Sequence, residues 1–155
     1  MEDPAYRKLM DYAMRSLGRR AHTTSELRDK LKKRPLHNEV LESAIITRLE
    51  ELDLLNDEKF TRNLIEDAVN YKFHGRMKVG QKLHTKGISF KELNRIWNEM
   101  EINEKEIAKN ALARAQKRFK SLPKDKLYQK RAQFLASRGF SPEIVFELAK
   151  SRTEA

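Results

Sequence analysis

The sequence predicts an all-α chain of three tandem three-helix repeats, stacked into an elongated, curved, solenoid-like rod. Three observations lead there. Gly (5) and Pro (4) are scarce among 155 residues, so connections must be few and short. Helix start and stop signals divide the chain into about nine short helices. Positions 52 residues apart carry residues of the same role.

The elements follow in order. Asp3-Pro4 is a cap followed by Pro at the first helical position, and the first helix runs to about Gly18. Thr23-Thr24-Ser25-Glu26 is a capping box that opens the second helix, which ends near Arg34-Pro35. Asn38 starts the third, with Val40, Leu41, Ala44, Ile45, Leu49 and Leu52 expected on its inner side. Asn56-Asp57-Glu58 opens the fourth, where the macrodipole favours acid, with Phe60, Leu64, Ile65, Ala68 and Val69 inward. Gly75 separates it from the fifth, which stops at Gly87. Ser89 with Glu92, and Asn103 with Glu106, open the sixth and seventh. Ser121 and Pro123 open the eighth, which stops at Gly139, and Ser141-Pro142 opens the ninth. Trp97, with Leu93, Ile96 and Met100, reads as core.

The repeat shows in several columns at once. Leu31, Leu83 and Leu135 are successively 52 apart, as are Arg34, Lys86 and Arg138. So are Leu36, Ile88 and Phe140, then Leu41, Leu93 and Val145, and the breakers Pro35, Gly87 and Gly139. The caps Ser89 and Ser141 keep the same spacing. The expected units are 1–53, 54–102 and 103–155. Each is too small to bury its own apolar face, so neighbours must stack.

The net charge is +10, from 33 basic and 23 acidic residues. By unit it is +1, +2 and +7, so the third holds most of the excess. Between Ala68 and Lys91 there is no acid, and between Ile107 and Pro142 the one acid is Asp125. Lys78, Lys82 and Lys86, four apart, are expected on one helix face. A long face of one sign repels itself unless an anion neutralises it, and phosphates do so with release of counterions. The candidate contacts are Arg76, Lys78, Lys82, Lys86, Lys117, Arg118, Lys124, Lys130, Arg131 and Arg138.

Catalytic and metal chemistry find little to use. Cysteine is absent, which excludes disulfides, thiolate metal sites and a cysteine nucleophile. His22, His37, His74 and His84 are isolated, with no pair at i, i+4; His22 precedes a helix start and suits a capping or termination role. No Gly-rich loop follows a strand, no nucleophile elbow is present, and the carboxylates show no convergent spacing. The expectation is a non-enzymatic protein with no metal and no cofactor. The N-terminus shows no signal-peptide pattern and no run can span a bilayer, so the expected location is the cytoplasm, without a membrane partner. Self-repulsion favours a monomer.

Four ordered segments resemble signatures of the RecX family. They are Arg19-Arg20-Ala21-His22-Thr23-Thr24-Ser25-Glu26-Leu27-Arg28-Asp29-Lys30-Leu31, then Leu54-Leu55-Asn56-Asp57-Glu58-Lys59-Phe60. The third is Gly75 through Ile88, ending Leu83-His84-Thr85-Lys86-Gly87-Ile88, and the fourth is Phe134-Leu135-Ala136-Ser137-Arg138-Gly139-Phe140-Ser141. Gly80 and Lys82 depart from the pattern, which more often has a helix-favouring residue and a Glu there. Gly inside a helix costs about 1 kcal/mol against Ala. The resemblance implies tandem three-helix repeats. It also implies binding along the groove of a RecA-type recombinase filament on single-stranded DNA, with inhibition of strand exchange, ATP hydrolysis and co-protease activity. The basic face would meet DNA phosphate, acidic filament surface, or both. Two rival expectations stand beside it. One is a free-standing, sequence-nonspecific nucleic-acid-binding helical protein, since three-helix units resemble helix-turn-helix modules. The other is an unrecognised enzyme, for example a nuclease, which would need a metal for which the sequence offers no site.

Overall fold

The computed structural model describes residues 3–150. Among them there are nine α-helices and no strand: α1 (Pro4–Arg19), α2 (Thr24–Lys32), α3 (Glu39–Glu51), α4 (Asp57–Asp67), α5 (Arg76–Thr85), α6 (Phe90–Glu99), α7 (Glu104–Arg114), α8 (Lys124–Ser137) and α9 (Pro142–Lys150). A π-helical segment, Ala68–Lys72, extends α4, and a 3₁₀ turn, Gln116–Phe119, lies between α7 and α8. The tandem helical repeat is therefore the observed architecture.

Three apolar clusters hold the helices. The first joins Leu9, Ala13, Leu27, Leu31, Ile45, Ile46, Leu49 and Leu55. The second is built around Ile65, Val79, Leu83, Leu93, Ile96 and Trp97 from α4–α6. The third is built around Ala108, Ala111, Phe134, Leu135, Phe140 and Leu148 from α7–α9. Ile107 packs against both the second and third clusters, so these two are continuous. Leu31, Leu83 and Leu135 are each wholly buried, as one repeated core position requires. The caps form as expected: Thr23 and Glu26 make a reciprocal capping box, and Asn38, Asn56, Ser89 and Asn103 each accept a backbone N–H three residues on.

Gly87 and Gly139 take left-handed φ values of 84° and 88°. Each turns the chain back on its helix. The Ile88 N–H donates to the Leu83 carbonyl at 2.9 Å and the Phe140 N–H to Leu135 at 3.3 Å, burying Ile88 and Phe140. Pro35 occupies the same column but cannot take positive φ. There the turn is different, and Leu36 is left 43% exposed.

The expected inner side of the third helix needs correction. On α3, Val40, Ala44 and Leu52 face solvent, Val40 being 79% exposed. The inner stripe is Leu41, Ile45 and Leu49 together with Ile46 and Glu42, because α1 and α2 cover only that arc. Glu42 tolerates burial because the His37 Nε2 lies 2.7 Å from its carboxylate and Arg28 flanks it at 3.6 Å. Gly80 is buried where α5 meets α6. A Cβ there would lie 2.4 Å from Phe90 Cε1 and 2.8 Å from Leu93 Cδ2, so glycine allows α5 and α6 to approach.

Candidate nucleic-acid interface

Many cations of α1–α6 are spent on carboxylates. Arg95 reaches Glu92, Glu58 and Glu99, while Arg62 reaches Glu58 and Glu99, forming an exposed network between α4 and α6. The guanidiniums of Arg95 and Arg62 hold the Glu58 carboxyl below its ordinary pKa. Arg20 and Lys86 both pair with Glu26, at 3.2 and 3.1 Å. Lys86 is thereby removed from the predicted stripe. It lies past the end of α5, in the C-cap, and its ammonium turns to Glu26 and the Phe60 ring instead of following Lys78 and Lys82.

The arginines between the second and third apolar clusters are held differently. A cleft of about 590 Å³ is lined by Lys72, Lys78, Arg114, Arg118 and Arg138, interleaved with Tyr71, Phe73 and Phe134. Its arginines lie over rings. The Arg114 guanidinium stands 4.9 Å from the Phe73 centroid, and those of Arg118 and Arg138 stand 5.5 and 4.8 Å from Phe134. Ring faces attract a guanidinium without cancelling its charge, so these groups keep N–H donors and a full positive charge for an anion. Arg138 Nη1 also donates to the Lys72 carbonyl at 2.6 Å, and Lys78 Nζ donates to the Ser137 carbonyl at 3.3 Å. These two bonds tie one wall to the other.

Local backbone chemistry builds the cleft. The π-helical widening after Asp67 and the left-handed Phe73 (φ 55°) end α4 abruptly and turn the chain toward α5. The Gly75 N–H then donates to the Arg138 carbonyl at 2.7 Å, and Met77 N–H to Gly139 at 3.1 Å. A Cβ on Gly75 would lie 2.5 Å from the Gly139 oxygen, so the contact requires glycine.

A second groove of about 380 Å³ shares Lys72, His74 and Lys78 with the cleft and adds Lys82, with Asp67 beside Lys72 at 3.4 Å. The crowding of positive charge marks the titrations. Burial, and then Lys78, Arg138, Lys72 and Lys82, hold the His74 pKa down at about 4. Burial, followed by Lys72, lowers that of Lys82. Burial and then Arg118 lower that of Arg138.

Of the ten residues singled out by sequence, Lys78, Lys82, Arg118 and Arg138 come together here. Arg76 faces Asn94 at 3.3 Å and gives its backbone N–H to Glu104. Lys117, Lys124 and Lys130 are exposed elsewhere on the 3₁₀ turn and α8, and Arg131 lines a separate groove. Sequence reasoning missed Lys72, His74, Arg114 and the aromatic Tyr71 and Phe73 as site residues. The acid-free stretches contain Lys72, His74 and Arg114, but the ring contacts that hold Arg114 come from 41 residues away in sequence. Among the described residues no group of three or more His, Asp or Glu could hold a metal ion. No described helix is long and apolar enough to cross a membrane.

Comparison with known proteins bears on this arrangement. Residues 10–46 match the sequence model of the first three-helix domain of RecX, and residues 104–148 match that of the third. The chain is 31% identical over 152 residues to the regulatory protein RecX of Chlorobaculum tepidum, covering 97% of this chain and 91% of that one. It is 29% identical to the regulatory protein RecX of Chlorobium phaeobacteroides, covering 95% of each. Among solved structures, RecX from Lactobacillus salivarius superposes with a TM-score of 0.80 at 23% identity, covering 93% of this chain and 97% of that one. That last likeness is one of fold.

Proposed function

The chain belongs to the RecX family of regulatory proteins, and on that footing we propose that it regulates a RecA-type recombinase. In this reading it binds the recombinase filament on single-stranded DNA and inhibits strand exchange, ATP hydrolysis and co-protease activity. It acts as a non-enzymatic monomer in the cytoplasm, with units 1–53, 54–102 and 103–155, and takes no membrane partner. The observation that carries the reading is the cleft whose three arginines are held by rings instead of carboxylates. Such a site gives affinity for phosphate without sequence choice, which suits a protein that must act anywhere along a filament. Lys78, Lys82, Arg118 and Arg138 are its contacts in this proposal, with Lys72 and Arg114 added. Arg76, Lys86, Lys117, Lys124, Lys130 and Arg131 lie outside it.

The test is co-sedimentation with preformed recombinase filaments on single-stranded DNA, beside naked DNA, with ATP hydrolysis followed at substoichiometric protein. Preferential pelleting with filaments and falling hydrolysis are expected. Equal pelleting with naked DNA and unchanged hydrolysis would favour the second reading, a general nucleic-acid binder. One observation supports that alternative: Tyr71 is 78% exposed beside the cations, where a base could stack without any recombinase.

A further inference from the structure

We propose that the third unit carries a second binding site, a groove that docks an acidic, amphipathic peptide segment of a partner protein. The middle helices of the three repeats differ in length. α2 has 9 residues, α5 has 10 and α8 has 14. Their C-terminal ends align through Leu31, Leu83 and Leu135, so α8 carries an extra turn at its N-terminal end. That extension is not used for the core. α8 buries only Phe134 and Leu135, both near its C-terminus, and none of residues 124–133 is buried. The facing helix α7 presents small residues, with Ala108 and Ala111 buried. The 3₁₀ turn then places Phe119 in the same lining, packed against the third cluster.

The result is a groove of about 590 Å³ with Leu112, Ala113, Phe119, Leu127 and Leu148 in its lining. That volume lies within the roughly 300–1,000 Å³ typical of ligand-holding clefts. Lys105, Lys109, Lys120 and Arg131 stand around it, against the single carboxylate of Glu147. Lys105 pairs with Glu147 at 2.8 Å, and among the described residues no carboxylate pairs with Lys109 or Lys120. An apolar floor inside a cationic rim fits apolar side chains flanked by Asp or Glu.

Nucleic acid fits less well. The floor is mainly aliphatic, and its one aromatic side chain, Phe119, already packs with Phe134 in a T-shaped pair at 5.8 Å and 79°, so it offers no series of rings on which successive bases could stack. The site is separate from the Lys72–Arg138 cleft and does not depend on the filament reading.

The experiment uses the full chain, ¹⁵N-labelled, titrated with the synthetic peptide acetyl-Glu-Leu-Glu-Glu-Leu-Leu-Glu-amide and with the same peptide carrying Lys for every Glu. The acidic peptide is expected to shift the amides of Ala113, Phe119 and Leu127, and the basic one to leave them in place. Ala113→Trp, which fills the groove from an exposed position, should abolish the shifts. The surface double variant Lys109→Glu/Lys120→Glu should weaken binding by about tenfold or more without touching the floor. The proposal is overturned if both peptides shift the same amides equally. It is also overturned if the shifts map to the Lys72–Arg138 cleft, if the double variant binds as well as the parent, or if an oligothymidylate displaces the peptide from this groove.

Discussion

The Thr23 hydroxyl donates to the Lys86 carbonyl at 2.6 Å across 63 residues, and the same junction recurs one repeat later, where the Gly75 N–H donates to the Arg138 carbonyl at 2.7 Å. Thr23 and Gly75 are 52 apart, as are Lys86 and Arg138. In both places the N-terminal end of one middle helix meets the C-terminal end of the next. Thr23 is wholly buried, and its oxygen also accepts the Glu26 N–H. Thr23→Val removes a cap and leaves the Lys86 carbonyl without this donor, so it should cost about 2–3 kcal/mol. Urea denaturation with an unchanged m-value would measure it.

The second junction has no side chain to lose and is tested by adding one. Gly75→Ala places a methyl 2.5 Å from the Gly139 oxygen, against backbone that cannot swing aside. Overpacking of this kind costs about 1–3 kcal/mol. Hydrogen exchange should accelerate at the amides of Gly75 and Met77, which bond across the junction, while Leu27 and Leu31 in the first cluster keep their protection. Gly80→Ala should likewise fail to stabilise, although helix propensity alone favours alanine by about 1 kcal/mol.

Charge in the cleft is read from salt dependence. Removing a cation that meets phosphate should reduce the slope of log K against log salt by about 0.7 for single-stranded DNA. Lys78→Gln and Arg118→Gln should each do so. Lys86→Gln should not, because its ammonium already faces Glu26. Fluorescence anisotropy with a labelled oligothymidylate at several salt concentrations distinguishes these outcomes.

Proton linkage gives a further test. The folded His74 pKa, about 4, lies below the ordinary 6.5. Between these values the unfolded chain binds more protons, so this group makes stability fall as pH drops through that window. An anion in the cleft offsets Lys72, Lys78, Lys82 and Arg138 and must raise the His74 pKa. The bound state then takes up protons, and affinity for DNA should increase as pH falls from 6.5 toward 4. NMR titration of the His74 ring, with and without oligothymidylate, checks the shift. His74→Gln should remove its share of the pH dependence of binding.

Much of this was legible in the residues alone. Helix content, the caps at Thr23, Asn38, Asn56, Ser89 and Asn103, and the 52-residue column of Leu31, Leu83 and Leu135 follow from local propensity and spacing. These are set within a turn or two of chain. The excess of charge in the third unit is a matter of counting.

Tertiary structure decided which of those charges act together. Lys72 and Arg138 are 66 residues apart and meet because a π-helical end, a left-handed Phe73 and two glycines bring two repeats into contact. Arg114 and Arg118 gain their positions from rings on other segments, and Lys86 loses its place in the lysine stripe to Glu26. The same holds for α3, where Val40 and Ile46 are both apolar and both helical, yet one is 79% exposed and the other 2%. Periodicity says that a helix has an apolar side; only the neighbours that cover it fix the arc. The helices and their repeat follow from residue order alone, because they rest on local backbone energetics. The stacking of repeats determined the cleft, because its charges converge only through contacts between segments far apart in the chain.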